Sequence, residues 1–543
     1  MSFQLWRQAV QHLRRSRASR LCVLGSAWLC LSVFAARLAL DAGVTWDEPV
    51  QLEYGNLILA WFRSGFVDRG AMVFNNLYLY GGLFDLPAQW LVEAHWLPWG
   101  PYETRHVLAA LVAVLGLAAT YGVGERVTGP RAGLFAAATL ALTPTWLGHG
   151  LFNPKDIPFG TAVACVAYAS VRIAMLPSIL RYREAVIAGL SVGAALGVRP
   201  GGMFLCAFPA IAALGRAGLA IIARRQQLRP IAWFAIARAL FMRLSCALVI
   251  AWVVMLITWP WAQLQPLTGP FKAAAEARHF QWLASMLFRR AIVFSDDLPW
   301  TYLPTWFAIT MPEIYVLAAV GGIVSVLAWR WHGPLRWDRT LALLVLSALV
   351  IVPVLGVFAT RPVLYDAHRH FLFLWPPLAA VCGVIMAHVV AHPELPTWFR
   401  RSFGAVWCGL ALLVIADMIA LHPYQYVYFN RLSGGLATEY SRYETDYWGA
   451  TYREGLAWVV QSAHERDQHV RVSGCYGSEP ALAYYLARWH EERVVWTGDG
   501  DTADVYLATT RFGCDLKATG KVVHTVSRQG APLLYVFDRR GSQ

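Results

Sequence analysis

Apolar residues in this chain come in long unbroken runs, and polar residues gather in the short stretches between them. Continuous apolar runs of about 20 residues predict membrane-spanning helices. They fall at 21–40, 106–124, 131–148, 157–176, 184–198, 202–222, 244–260, 311–329, 340–359, 371–390 and 403–421, about eleven spans. Because the runs do not alternate, spanning β-strands are not expected. Between the first two runs, residues 41–105 hold more acids than bases and many aromatics. That stretch is too polar to span, and its Trp and Tyr suit short interfacial helices. A second long loop, about 260–310, carries "FSDDLPWTYLPTW".

From His422 onward the pattern changes to mixed charge with no further span. "YREGLAWVVQSA" and "EPALAYYLARW" have helical apolar spacing, while "HVRVSG", "RVVWTG", "ADVYLATT", "KVVHTV" and "LLYVFD" read as short strands. The predicted organisation is a transmembrane module, 1–421, followed by a small α/β domain, 422–543. The fold class is thus a polytopic α-helical membrane protein with a C-terminal α/β domain.

Composition agrees. The 543 residues are 57% apolar and 15% charged, against about 25% charged in soluble domains. The net charge of +13 could suggest nucleic acid, so its placement decides. Arg7, Arg14, Arg15, Arg17 and Arg20 precede the first run, and Arg224, Arg225, Arg229, Arg238 and Arg243 crowd one later loop. Basic loops beside spans follow the positive-inside rule. With the N-terminus cytoplasmic, every Arg-dense loop falls inside; no nucleic-acid footprint remains. No small-residue cleavage site follows the first run, which is therefore read as a retained span. The same count puts the C-terminal domain outside. Cysteines 22, 30, 165, 206, 246, 382 and 408 lie in apolar runs and read as small hydrophobes. Cys475 and Cys514 lie in the polar domain, where an outer location permits a disulfide; pairing and free thiols both stay open.

The topology gathers polar groups at the outer ends of spans: Asp47 and Glu48 in "TWDEP"; His149, Asn153, Lys155 and Asp156 in "HGLFNPKD"; Arg199 in "VRPGG"; Asp296 and Asp297 in "FSDD"; Asp366, His368, Arg369 and His370 in "YDAHRH". Charges near membrane depth are costly and tend to mark substrate paths. A carboxylate can take a proton from an acceptor hydroxyl, while Arg and Lys offset charge on a phosphate leaving group. Each group also has a structural reading. Arg199 can snorkel at a span end. Asp156 can begin a helix after Asn153 and Pro154. His368 and His370 can be packing residues, and Asp296 and Asp297 can solvate a loop. Asp47, beside Trp46 and without a basic neighbour in sequence, has the least structural reason to be there. The chain contains no P-loop, no dinucleotide glycine pattern and no HExxH, so an activated group would arrive on a lipid. No spacing forces a zinc site, though carboxylates with His149 could hold a divalent cation.

The ordered set "TWDEP", "FNPKDIPFG" and "YDAHRHFLFLWPPLA" resembles the GT-C class of integral-membrane glycosyltransferases, within the family of protein O-mannosyltransferases and lipid A aminoarabinose transferases. "LPWTYLPTWFAITMPE", "HPYQYVYFNRLSGG" and "YETDYWGATYREGLAWV" extend the likeness over about residues 40–460. The resemblance implies a GT-C fold and inverting transfer from a polyprenyl-phosphate-linked sugar to an acceptor hydroxyl. The acceptor would be a glycan, lipid or protein, and the active site would face the periplasm at the bacterial inner membrane. It implies Asp47 as the catalytic base and Glu48 as the neighbouring acid. Arg369, His370, Arg199 and Lys155 would serve the lipid-linked phosphate. Asp156, His149, Asn153 and His368 complete the set of active-site candidates. A divalent metal, where one is used, would sit on Asp47 and Asp156; many lipid-monophosphate enzymes of the class need none, so cofactor status stays open.

Two other readings compete. A lipid or sugar transporter or flippase predicts mid-span charges and paired repeats, yet Arg37 and Asp417 both lie near span ends. En bloc oligosaccharide transfer from a lipid pyrophosphate wants a metal and more acids in the second outer loop, where Asp156 stands alone.

Overall fold

The computed structural model describes residues 17–224, 230–276, 282–328, 336–498 and 500–540. Arg7, Arg14, Arg15, Arg225 and Arg229 lie outside them. The protein is a multi-pass helical bundle with a sheet domain at its C-terminus. Among the described residues eight helices are long and apolar enough to cross a membrane: Cys22–Ala39, Pro101–Thr128, Asp156–Ala174, Pro200–Ala223, Trp233–Thr258, Trp337–Thr360, Arg369–Ala391 and Thr397–Leu421. A ninth span results if Tyr302–Thr310 and Glu313–Ser325, bent by 97° at their junction, count as one.

The difference from the expected eleven has local causes. The run 131–148 is two helices, Pro130–Ala141 and Pro144–Gly150. Pro144 lacks the N–H that would continue the first helix, so it opens a new one. The run 184–198 is the 15-residue helix Tyr182–Leu196, about 22 Å long against a hydrocarbon core of about 30 Å. Both pieces pack one side against the bundle: Pro130–Ala141 lies against Pro101–Thr128 and Trp375–Ala391, and Tyr182–Leu196 lies against Pro230–Thr258. Their outer sides leave Leu134, Tyr182 and Leu190 exposed, and the first span leaves Leu29, Val33 and Phe34 exposed, as lipid-facing helices do.

The loop after the first span is helical, as its aromatic composition suggests: Glu48–Arg63 and Asp85–Ala94, with 3-10 turns between them. The second long loop holds a hairpin of β1 (Ser285–Phe288) and β2 (Ala291–Phe294). Its two turn residues, Arg289 and Arg290, are both left-handed, the backbone that closes a two-residue hairpin. Asp296 and Asp297 follow it and are exposed.

The chain from 422 to 451 packs back onto the bundle before the sheet domain begins at helix Tyr452–Glu465. Asn430 donates to the carbonyls of Ala308 and Met311, and Arg431 pairs with Asp417 at 2.8 Å. The domain's five strands are β3 (Val470–Gly474), β4 (Val494–Trp496), β5 (Val505–Thr509), β6 (Lys521–Arg528) and β7 (Ala531–Asp538), in spatial order β4-β3-β5-β7-β6. β3 runs parallel to β4 and β5, and β7 runs antiparallel to β5 and β6. Leu507, Leu534 and Val536 fill the core between this sheet and Leu456 of the first helix, all fully buried. Cys475 and Cys514 form a disulfide joining the end of β3 to the turn after β5.

Candidate active site

Asp47 stands at the N-cap position of the helix Glu48–Arg63 without a side-chain capping bond, and Pro49 lies in the first turn. That turn is clamped from both sides. Glu48 accepts from the backbone N–H of Thr45 at 2.8 Å, from its hydroxyl at 2.9 Å, and faces His106 Nε2 at 2.6 Å. On the other side Trp46 donates its backbone N–H to the carbonyl of Trp448, and its ring meets Tyr476 of the sheet domain at 5.2 Å. Gly477 has φ +79°, and a Cβ there would lie 2.7 Å from Cβ of Trp46; only glycine fits both conditions. Gly43 makes a closer approach still, where a Cβ would sit 2.0 Å from the Ala450 carbonyl oxygen.

Asn153 arranges the second element. Its Oδ1 accepts from the N–H groups of Lys155 and Asp156, at 3.1 and 2.8 Å, opening the helix Asp156–Ala174. Those two donors orient the amide, so Nδ2 points at Asp156 Oδ2 (2.8 Å) and at His149 Nδ1 (3.1 Å). His149 Nδ1 is therefore an acceptor, and its Nε2–H faces the Tyr447 hydroxyl at 3.0 Å. Burial pushes the His149 pKa down to about 3, which keeps the ring neutral.

The third element is the turn before Arg369. Asp366 and Ala367 are both left-handed, φ +56° and +61°, an arrangement that costs L-residues on the order of 1–3 kcal/mol each. The turn aims Arg369 into the midst of three carboxylates: Asp366 at 3.3 Å, Asp156 at 3.5 Å and Asp47 at 3.7 Å. The guanidinium lies between Tyr365 and Trp448, 4.8 and 4.9 Å from their ring centroids. Arg199 pairs with the other oxygen of Asp156. Lys155 lies 4.1 Å above the Tyr80 ring, with no carboxylate within ion-pair distance among the described residues. Burial brings its ammonium down to about 8. Burial also raises the Asp47 carboxyl above its ordinary range, against the pull of Arg369. Yet 35% of the Asp47 side chain remains exposed, while Arg369 is 7% exposed and Asp366 fully enclosed.

The structure therefore brings Asp47, Asp156, Arg199, Arg369, Lys155, Asn153 and His149 into one cluster. Glu48 does not share it: adjacent to Asp47 in sequence, it faces the opposite side of the helix start. His370 borders the cluster, half-buried and edge-on to Tyr365 at 4.6 Å. His368 points elsewhere. It packs on Phe307 and Trp375, neither ring nitrogen has a hydrogen-bond partner, and burial lowers its pKa to about 3. Asp366, Tyr80 and Trp448 belong to the cluster without having been singled out as site residues. So does Arg511 of the sheet domain, paired with Asp366 at 2.5 Å.

Among the described residues no three His, Cys, Asp or Glu side chains are placed to hold a metal ion. Asp47 and Asp156, the pair that would hold one where a metal is used, both face the guanidinium of Arg369. That donor set does not fit a divalent cation. What the arrangement offers chemically is a carboxylate one-third open beside a buried guanidinium and two partly buried cations.

No protein-family model matches this chain, and no curated protein does. Solved structures are similar in shape. ArnT from Cupriavidus metallidurans bound to undecaprenyl phosphate is 15% identical, with 94% of this chain and 98% of that one covered and a TM-score of 0.47. The S. cerevisiae protein O-mannosyltransferase Pmt1-Pmt2 complex bound to the sugar donor is 10% identical, covering 74% and 89%, with a TM-score of 0.48. The Archaeoglobus fulgidus oligosaccharyltransferase in the apo form is 13% identical, covering 88% and 65%, with a TM-score of 0.45.

Proposed function

We propose that the protein is a GT-C-class glycosyltransferase of the bacterial inner membrane. It would move a sugar from a polyprenyl-phosphate donor to an acceptor hydroxyl on the periplasmic side. In this reading Asp47 takes the hydroxyl proton as the acceptor oxygen forms its bond to sugar C1. The bond from C1 to the phosphate oxygen breaks on the opposite face, so the anomeric configuration inverts. The electron pair leaves on the polyprenyl phosphate, whose charge meets Arg369, Arg199 and Lys155. A general base works best with a pKa displaced toward the operating pH, and burial moves Asp47 in that direction.

The observation that supports this reading most is the accessible Asp47 carboxylate 3.7 Å from a guanidinium that is itself buried among acids. The surrounding acids keep that guanidinium from standing as an unpaired buried charge before the donor arrives. Asp156 and Asn153 hold Arg199 and Arg369 in place, and Glu48 holds the turn that presents Asp47.

The test gives purified protein a panel of polyprenyl-phosphate sugars and follows donor consumption with and without acceptor glycans, lipids and peptides. Wild type should consume at least one donor, and Asp47→Asn should not, although it inserts and melts like wild type. Equal turnover by both proteins would remove Asp47 from the chemistry.

A further inference from the structure

Arg511 sits in the sheet domain, 142 residues beyond Arg369 in sequence, yet it reaches the same buried charge cluster. It opens the turn after β5, three residues before the disulfide-bonded Cys514. Thr510 beside it faces the Thr445 hydroxyl at 3.2 Å. The Arg511 side chain is almost fully enclosed and lies 2.5 Å from Asp366 Oδ1 and 3.6 Å from Glu444 Oε2. Asp366 is thus divided between two cations: Oδ1 toward Arg511, Oδ2 toward Arg369 at 3.3 Å.

The division matters because Arg369 faces more negative charge than it can balance. Three carboxylates surround it. Arg199 takes one oxygen of Asp156, and Arg511 takes one oxygen of Asp366. Over the whole cluster Arg369, Arg199, Arg511 and Lys155 stand against Asp47, Asp156, Asp366 and Glu444, so the charges match. Without Arg511, the whole charge of Asp366 acts on Arg369 in a poorly solvated setting, where Coulomb attraction is strong. Arg369 would be drawn toward Asp366, away from Asp47 and from any phosphate beyond it.

We infer that Arg511 is a positioning residue: by sharing Asp366, the sheet domain sets how far Arg369 reaches toward the donor phosphate. The inference rests on the glycosyltransferase reading and adds to it a role for the C-terminal domain. A pair that merely docked the domain would also be relieved by removing both partners, but its loss would be read in unfolding, whereas a positioning charge changes lipid-phosphate affinity in protein that is folded. A positioning charge predicts repair, since Asp366→Asn lifts the pull that Arg511→Met leaves uncompensated.

The experiment measures affinity of the full-length protein for a polyprenyl monophosphate, alongside donor KM and kcat. Arg511→Met should weaken lipid-phosphate binding roughly ten- to hundredfold, the scale of a displaced catalytic group. It should raise donor KM more than it lowers kcat. Arg511→Met combined with Asp366→Asn should regain most of the affinity. If wild type binds the lipid phosphate and Arg511→Met binds it equally, or the pair is no better than the single variant, the inference falls and the glycosyltransferase reading stands. If wild type neither binds the lipid phosphate nor consumes any donor, both fall. Should the single variant fail to fold, Arg511→Lys takes its place: a retained charge without the guanidinium fork should weaken lipid-phosphate binding and raise donor KM, and wild-type affinity overturns the inference.

Discussion

Asp47 and Glu48 are neighbours in sequence and opposites in setting. Glu48 is closed on every side: two bonds from Thr45, one contact with His106, and 1% exposure for both partners of that contact. Asp47 is a third open, and Arg369, the cation within ion-pair distance of it among the described residues, stays 3.7 Å away, beyond the 2.7–2.9 Å of a closed charge-assisted bond. The pair Arg105 and Asp85 behaves like Glu48, both members about 1–2% exposed and in direct contact. A carboxylate that holds a fold together closes on its donors; one kept for an incoming group retains room. The difference separates the two acids of "TWDEP" more sharply than their residue types could.

The comparison can be broken most severely at Asp47. Asp47→Asn should lower transfer about 10²–10⁴-fold, the usual worth of a general base, with unchanged melting in detergent. A loss of stability equal to that of a Glu48 variant would erase the contrast. Next comes Arg369→Lys. A single ammonium cannot replace a fork facing three carboxylates, so kcat/KM for the donor should fall roughly 10²-fold, on the scale of a lost transition-state donor.

The pH profile gives a milder test. Asp47 must be ionised to accept a proton, so transfer should rise with pH through a value above the ordinary carboxylate range near 4. Lys155 must be charged to meet phosphate, so transfer should fall as pH climbs through about 8. In Lys155→Met that alkaline fall should vanish while the acid limb persists. The smallest effect on chemistry belongs to Glu48→Gln. Turning one accepting oxygen into a donor should cost about 1–3 kcal/mol of stability, read by unfolding in detergent. Transfer by the folded fraction should stay near wild type.

Sequence patterning went furthest where one period dominates. The strand-like stretches "LLYVFD" and "KVVHTV" and the helical spacing in "EPALAYYLARW" match β7, β6 and the helix Glu479–Arg488. Long apolar runs marked the spans, but length alone missed the break at Pro144 and the 97° bend near Met311. The outer polar groups were legible as a set because topology sends span ends to one side. Their directions were not. Glu48 and Asp47 diverge at a helix start, where one residue turns the side chain by about 100°. His368 faces aromatic packing because the 3-10 turn after it rotates Arg369 inward instead. Arg511 left no signal at all. It is an arginine at the end of a strand in another domain, and only folding brings it beside Asp366.

The short helix Tyr182–Leu196 has one more consequence. Its axis is some 8 Å shorter than a slab of about 30 Å, so with its N-terminal end level with one face, Arg199, just past its tip, stops short of the other. A monophosphate drawn to that guanidinium would sink toward it with its isoprenoid tail still lodged among neighbouring chains. Loading then becomes a sideways glide within the leaflet, and no long hydrocarbon need ever be hauled into water.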